Sequence, residues 1–171
     1  MNPVTTANGA VLRSATVDDT PTIFSFIQEL ADYEKMSDAV TATEDNLRTT
    51  LFGEHPYAEV IIAEWEGRPV GMALFFHNYS TFLGKPGIHL EDLYVKAEMR
   101  GKGIGKALIT YLAKVTLSRG FERLEWQVLD WNEPARQFYR SLGARAMTEW
   151  ITKRVSDDSL EQMAAQFEQR R

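Results

Sequence analysis

The chain has 171 residues, no cysteine and a formal net charge of -5. Without cysteine it has no disulfide, no thiol nucleophile and no cysteine-ligated zinc, and the acidic surplus argues against nucleic-acid binding, which needs a basic surface. Its three histidines, His55, His77 and His89, do not stand at metal-ligand spacing, so no metal site is predicted. The longest strongly apolar run, Val70 to Phe76, is too short to span a bilayer. Residues 1–10 lack the basic and apolar blocks of a secretion signal, so a cytoplasmic protein that contacts no membrane is expected.

Two helices and four strands are predicted in the first half of the chain. Residues 1–9 are small and polar and are predicted to be flexible. Capping-box patterns begin at Thr16 and at Thr41, and each predicts a helix start. The predicted elements are a strand at Val11–Arg13, a helix from Thr16 to about Tyr33, a helix from Thr41 to Gly53, a strand at Glu59–Trp65, a turn at Glu66–Pro69, a strand at Val70–Tyr79, a loop at Thr81–Gly87 and a strand at Ile88–Val95.

The second half begins with a long amphipathic helix, in which apolar residues recur at spacings of three and four. Asn132 is a candidate N-cap for a later helix that has Pro134 in its first turn and ends at Gly143. The predicted elements are a helix from Gly103 to Arg119, a strand at Leu124–Leu129, a helix from Asn132 to Gly143, a strand at Ala144–Lys153 and a charged helix from Asp157 to about Gln169.

The order of these elements predicts a mixed α/β fold. Hairpin strands come first, and a strand, helix, strand, helix, strand series follows. We expect a flexible N-terminus over residues 1–9, one domain over 10–155 and a C-terminal helix over 156–171.

A glycine-rich turn, Arg100-Gly101-Lys102-Gly103-Ile104-Gly105, joins a predicted strand to the long helix. Glycines let a ligand approach the backbone, and the first N–H groups of a helix have no internal partner, so such a turn favours an anion. It is not a P-loop, because Arg100 and Ala107 stand where a glycine and a hydroxyl residue are required, and Lys106 replaces the third glycine of a dinucleotide fingerprint. The turn and its basic residues predict a phosphate-bearing ligand. A turn that only joins a strand to a helix is the alternative.

The turn resembles the pyrophosphate loop of the GNAT N-acetyltransferases. The pattern of that loop is Gln or Arg, then any two residues, then Gly, then any one residue, and finally Gly or Ala. Arg100, Gly103 and Gly105 match this pattern. The chain is most similar to the diamine acetyltransferases of the spermidine/spermine and thialysine types, and nearer to the thialysine type, although Phe82 stands where these enzymes usually have Trp. The resemblance covers about Val11–Trp150 and is carried by Glu29–Met36, Phe52–Pro56, Tyr79–Thr81, Leu90–Asp92, Leu129–Glu133 and Phe138–Tyr139.

The resemblance implies a central, mostly antiparallel twisted sheet with one splayed pair of parallel strands, flanked by helices. It also implies that acetyl-CoA donates the acetyl group, that a small diamine-like molecule accepts it by direct attack on the thioester, and that the enzyme is a homodimer. The implied cofactor-binding residues are Leu93, Tyr94, Val95, Arg100, Gly101, Lys102, Gly103, Ile104, Gly105, Lys106, Asn132 and Tyr139.

Glu91 and Tyr139 are the candidate catalytic residues. An alkylammonium group has a pKa of about 10.4 and must lose a proton before it attacks. Glu91 matches the family's base, and Tyr139 matches its general acid, which protonates the leaving thiolate. The implied substrate-binding residues are Tyr33, Glu34, Glu91 and Asp92. In a regular strand Asp92 points to the opposite face from Glu91, whereas a bulge would bring both to the site.

Each candidate residue also has a purely structural interpretation. Glu91 and Asp92 can form salt bridges or caps, Tyr139 can pack in a core, Asn132 can serve only as a helix N-cap, and Glu34 can be a solvated helix end. At the level of function, a non-catalytic acetyl-CoA sensor and a protein or peptide amine acetyltransferase are the alternatives.

Overall fold

The computed structural model describes residues 2–168. The chain divides into two compact units, one through Gln127 and the other from Val128 onward. The boundary near residue 155 that we expected from the sequence falls inside the second unit and stays a prediction.

A six-stranded sheet forms the first unit. Its strands lie side by side in chain order, and all neighbours are antiparallel except the last pair, which is parallel. The predicted mixed α/β fold is therefore confirmed. The strands are β1 (Val4–Thr5), β2 (Val11–Ser14), β3 (Glu59–Trp65), β4 (Arg68–Ser80), β5 (Lys85–Val95) and β6 (Leu124–Trp126). The helices of this unit are α1 (Thr20–Glu34), α2 (Glu44–Phe52) and α3 (Ile104–Ser118).

Helices cover both faces of the sheet. Helices α1 and α2 pack on alternate residues of the strands, in a cluster of Ile23, Phe26, Leu47, Leu51, Val60, Ile62, Met72 and Tyr94. The residues that alternate with this cluster, such as Ile61 and Phe75, are also buried. Helix α3 packs against β4 and β5, and Arg119 after its last turn lies 5.8 Å from the centre of the Phe75 ring. Since only residues 96–103 connect β5 to α3, this packing fixes the position of the glycine-rich turn beside the sheet.

Several details of the first unit differ from the sequence predictions, among them β5, which begins at Lys85 inside the loop predicted at Thr81–Gly87. Val4–Thr5 pairs with Val11–Leu12, so this part of the expected flexible N-terminus is a strand, while Met1 lies outside the described residues. Helix α2 begins after Thr43 rather than Thr41, because Thr43 and Asn46 cap each other reciprocally. The β3–β4 turn contains only Glu66 and Gly67, whose positive φ angles of 51° and 75° match the two-residue turn that favours hairpins.

The second unit contains two helices, α4 (Glu133–Ser141) and α5 (Asp157–Glu168). The strand predicted at Ala144–Lys153 is wrong, because no described residue of this unit forms a strand that could pair with it, and nearly all of these residues are exposed. The strand predicted to reach Leu129 ends at Trp126, and a turn closed by the Asn132 N–H and the Leu129 carbonyl follows. The predicted end of the last helix at Gln169 lies outside the described residues.

Within residues 2–168, none of the helices combines the length and the apolar character needed to cross a bilayer. The same residues contain no group of three or more histidines and carboxylates suited to hold a metal ion.

Candidate active site

The glycine-rich turn leads directly into α3. Gly101 and Gly103 have φ angles of 77° and 79°, which strongly favour glycine. The first helical hydrogen bond runs from the Ala107 N–H to the Gly103 carbonyl, at 2.9 Å. The N–H groups of Ile104, Gly105 and Lys106 therefore have no acceptor within the helix, and they lie at its positive end. This geometry suits an anion, as the sequence predicted.

Two basic side chains of this turn lie over aromatic rings. The Arg100 guanidinium is 4.5 Å from the centre of the Tyr33 ring, and its Nε donates to the Val95 carbonyl at 3.2 Å. The Lys102 ammonium lies 5.5 Å from the centre of the Trp65 ring. Arg100 therefore connects the predicted anion site to Tyr33 at the end of α1, in the segment predicted to bind substrate.

Strand β5 contains a bulge at Glu91. Leu90 lies opposite Phe75 and Asp92 lies opposite Leu74, so that Glu91 is the extra residue. Leu74 packs against the α1–α2 cluster, which places Asp92 on that face of the sheet. His89 lies on the same face, because it stacks on Phe76, two residues after Leu74.

The bulge also brings Glu91 to this face, since Glu91 Oε2 lies 3.8 Å from His89 Nε2. Both carboxylates therefore lie on one face, which is the arrangement that the sequence left open. His89 was absent from the predicted site. Its position two residues before Glu91 is the signal that could have suggested it.

Negative charge is concentrated near the bulge of β5, where the carboxylates of Glu34, Glu91 and Asp92 lie. Burial, followed by the charges of Glu91 and Glu34, raises the pKa of Asp92 to about 6. Burial also raises the pKa of Glu34. In the part of the chain that the structure describes, no lysine or arginine forms an ion pair with any of the three. The group can therefore bind a cation.

Leu93 and Val95 lie beside these carboxylates on β5. Strand β6 pairs only with Ile88, His89 and Leu90, so β5 extends beyond its parallel neighbour. The Lys96 N–H donates to the Val70 carbonyl in β4, and because backbone groups alternate in direction along an antiparallel strand, those of Leu93 and Val95 face away from β4. Leu93 and Val95 are both among the residues that the family resemblance assigns to cofactor binding.

Tyr94, another residue that the family resemblance assigns to the cofactor, contacts α1 and β4. Its side chain is buried against α1, where its ring lies 5.3 Å from that of Phe26. Its hydroxyl donates to Glu29, and burial together with this hydrogen bond raises the pKa of the phenol. Its backbone lies opposite Met72 and faces β4. Tyr94 therefore anchors β5 to α1. No sequence pattern indicates this anchor, because its partner Glu29 is 65 positions away.

Asn132 and Tyr139 belong to the second unit, on α4. The Asn132 side chain accepts from the Ala135 N–H at 3.3 Å and is the N-cap that the sequence predicted. Tyr139 is half-buried, and its ring lies 5.2 Å from that of Phe138. The short helix is also held by Glu133, which pairs with Arg136 and Arg140. The cofactor-binding role of Asn132 and the cofactor-binding and catalytic roles of Tyr139 stay predictions.

Comparison with known proteins identifies the family. The profile of the acetyltransferase (GNAT) family matches residues 22–144. The chain belongs to this family. It is an N-acetyltransferase, and GNAT enzymes take their acetyl group from acetyl-CoA.

Similar proteins include enzymes that act on side-chain amines. The chain is 39% identical over 165 residues to thialysine N-epsilon-acetyltransferase of Bos taurus, an alignment that covers 90% of this chain and 96% of the relative. It is 30% identical to L-ornithine N5-acetyltransferase of Arabidopsis thaliana, over 88% of this chain and 86% of the relative. Among solved structures, an integron cassette protein from the mobile metagenome of V. cholerae superposes with a TM-score of 0.77, at 27% identity, over 91% of this chain and 97% of that protein. The resemblance to the diamine acetyltransferases is therefore confirmed.

Proposed function

We propose that this GNAT enzyme acetylates the primary amine of a small diamine-like molecule, such as thialysine, lysine, ornithine or a polyamine. The observation that carries the proposal is the group of three carboxylates, Glu34, Glu91 and Asp92, at the bulge of β5. A molecule with two amines can leave one as an ammonium ion bound by carboxylates, while the other loses its proton and reacts. The two relatives named for thialysine and ornithine point to the same class of acceptor.

The residues of the glycine-rich turn fit the pyrophosphate of acetyl-CoA. Ile104, Gly105 and Lys106 supply N–H groups at the positive end of α3, and Arg100 and Lys102 add positive charge. Apart from Gly101 and its two chain neighbours, no atom of the described residues lies within 4 Å of the position that a Cβ of Gly101 would occupy, so a ligand can approach the backbone there. Bound acetyl-CoA supplies an acetyl group activated as a thioester.

Three further residues are proposed to hold the rest of the cofactor. Leu93 and the N–H of Val95 present backbone groups on the edge of β5 away from β4, which suits the amides of the pantetheine arm, whereas the Val95 carbonyl already accepts from Arg100 Nε. Asn132 is proposed to contact the same arm while it caps α4. Tyr94 is not included, because its side chain and backbone are engaged with α1 and β4.

Glu91 is the proposed base. Its side chain is 55% exposed, so a water molecule can link its carboxylate to the reacting amine. Glu34 and Asp92 are proposed to attract the ammonium form of the substrate, and Tyr33 to contact it at the end of α1. Because the carboxylate of Asp92 is half-protonated at about pH 6, binding of the amine should weaken below that pH.

Tyr139 is the proposed general acid. Its hydroxyl would give a proton to the sulfur of the leaving thiol, and a phenol with an ordinary pKa of about 10 suits that transfer. Replacement of Tyr139 by phenylalanine keeps the ring packed against Phe138 and removes only the hydroxyl. We expect a fall in kcat of about a hundredfold, with the affinity for acetyl-CoA retained.

The test is acetyl-CoA-dependent release of free thiol with thialysine, lysine, ornithine, spermidine, spermine, putrescine and a lysine peptide. The proposal predicts turnover with at least one free diamine, and loss of that turnover in Tyr139→Phe. Phe138→Leu is the matched control, because it perturbs the same helix and leaves the hydroxyl. Tight acetyl-CoA binding without turnover of any small amine would refute the diamine assignment and favour a protein substrate or a sensor.

The proposed enzyme is a homodimer, as the family resemblance implies. Light scattering coupled to size-exclusion chromatography measures the mass of the particle directly. A mass equal to one chain at assay concentration would exclude this part of the proposal.

A further inference from the structure

The N-terminal hairpin contacts the glycine-rich turn through one side chain. Asn8, between β1 and β2, donates from its Nδ2 to the Lys102 carbonyl at 2.6 Å. The same nitrogen lies 3.2 Å from the position that a Cβ of Gly103 would occupy. Asn8 lies outside residues 22–144, to which the family profile extends, and no role has been assigned to it.

The orientation of the Asn8 amide follows from its partners. The Lys102 carbonyl can only accept a hydrogen bond, so the amide nitrogen must face it. The amide oxygen then faces the Thr6 hydroxyl, with which it is in hydrogen-bond contact. Thr6 itself is held in the hairpin, because its N–H donates to the Ala10 carbonyl at 2.8 Å. Asn8 is therefore a fixed donor on a hydrogen-bonded turn.

Fixing the Lys102 carbonyl also fixes the next N–H group. The peptide between Lys102 and Gly103 is planar and trans, so its carbonyl and its N–H point in opposite directions. The carbonyl faces Asn8, and the Gly103 N–H therefore points away from Asn8. Without this hydrogen bond the peptide could flip at low cost, because Gly103 tolerates most backbone angles. A flipped peptide would turn a carbonyl oxygen toward the place that the N–H occupies, and that oxygen would repel an anion.

We propose that Asn8 is a positioning residue for acetyl-CoA binding, which holds the Lys102–Gly103 peptide with its N–H toward the pyrophosphate. The inference rests on the proposed use of the glycine-rich turn. It makes the N-terminal hairpin part of the structure that supports the cofactor site, through the contact of Asn8 with Lys102.

The test measures the Kd of coenzyme A by calorimetry and the kinetic constants for both substrates. Asn8→Ala removes the donor, and Asn8→Asp replaces the donor nitrogen by a second acceptor of nearly the same shape. We expect the Kd of coenzyme A and the KM for acetyl-CoA to rise roughly fivefold in Asn8→Ala and further in Asn8→Asp. The kcat and the KM for the amine should stay unchanged. Asn2→Ala, at an exposed position before β1, is the control.

The outcomes separate this inference from the proposed function. A wild-type chain that binds coenzyme A, together with an unchanged Kd in both Asn8 variants, would overturn the inference and leave the proposed function intact. Equal losses in kcat, amine KM and acetyl-CoA KM would also overturn it, because they indicate a general structural role. A wild-type chain that binds no coenzyme A would refute both.

Discussion

Asp92→Asn should make the folded protein more stable at neutral pH. Burial and neighbouring carboxylates raise the pKa of Asp92 from 3.8 to about 6. At neutral pH the folded chain therefore carries an ionised Asp92 carboxylate in surroundings that disfavour the charge. This lowers the free energy of unfolding, and Asn does not have this effect because it cannot ionise. Each pH unit of this difference corresponds to about 1.36 kcal/mol, so the full cost is about 3 kcal/mol.

The sign of the pH dependence follows from this shift. Above about pH 6 the carboxyl is ionised in both the folded and the unfolded chain, and the full cost is present. Below the ordinary pKa of 3.8 it is protonated in both, and the cost vanishes. Asp92→Asn should therefore raise the free energy of unfolding by about 3 kcal/mol near pH 7.5 and by about 1 kcal/mol near pH 4.5.

Urea unfolding followed by tryptophan fluorescence, at several pH values, measures this difference. Asp38→Asn, which removes an exposed carboxylate on the segment after α1, is the control and should show little effect at any pH. The same Asp92→Asn variant should bind the amine about tenfold more weakly, because it loses a charge that faces the ammonium ion. A variant that is less stable than wild type near pH 7.5, or a difference that does not change with pH, would refute the reasoning.

Two further predictions concern the first unit. Tyr33→Leu removes the ring beneath Arg100 and should weaken coenzyme A binding about threefold in calorimetry. Tyr33→Phe keeps the ring and should bind coenzyme A as the wild type does. Equal affinities of the Leu variant and the wild type would contradict this prediction. Arg13→Met leaves Asp19 and Glu64 without the guanidinium that binds both and should lower the free energy of unfolding by about 3 kcal/mol. Because Arg13 lowers the pKa of Asp19, the stability that this ion pair provides is present above the ordinary pKa of Asp19 and is lost as pH falls. The stability of the variant should therefore approach that of the wild type in urea titrations at acid pH. A difference in the free energy of unfolding that stays the same at every pH would contradict this.

Local features of the active site could be predicted from the sequence. The glycine-rich turn leads into α3 as predicted, and the predicted start of α3 at Gly103 differs by one residue from the observed start at Ile104. Asn132 was predicted as the N-cap of α4 and is one. Both signals depend on residues within one helical turn of each other, and such short-range chemistry is the same in any fold.

Features that depend on strand register could not be predicted. The bulge at Glu91 exists because Leu74 and Phe75 are consecutive in β4, whereas their partners Asp92 and Leu90 are separated by Glu91 in β5. The sequence of one strand does not specify how it pairs with its neighbour. The role of Tyr94 depends on Glu29 in another element. The strand predicted at Ala144–Lys153 failed for the same reason, because an apolar pattern forms a strand only where a partner offers hydrogen bonds.

The most direct test of the central claim compares kcat/KM for thialysine with kcat/KM for a peptide that carries one lysine and a blocked N-terminus, at the same acetyl-CoA concentration. Because three carboxylates favour a second free ammonium group, thialysine should react at least about a hundredfold more efficiently than the peptide. An equal or higher kcat/KM for the peptide would contradict a small diamine as the acceptor.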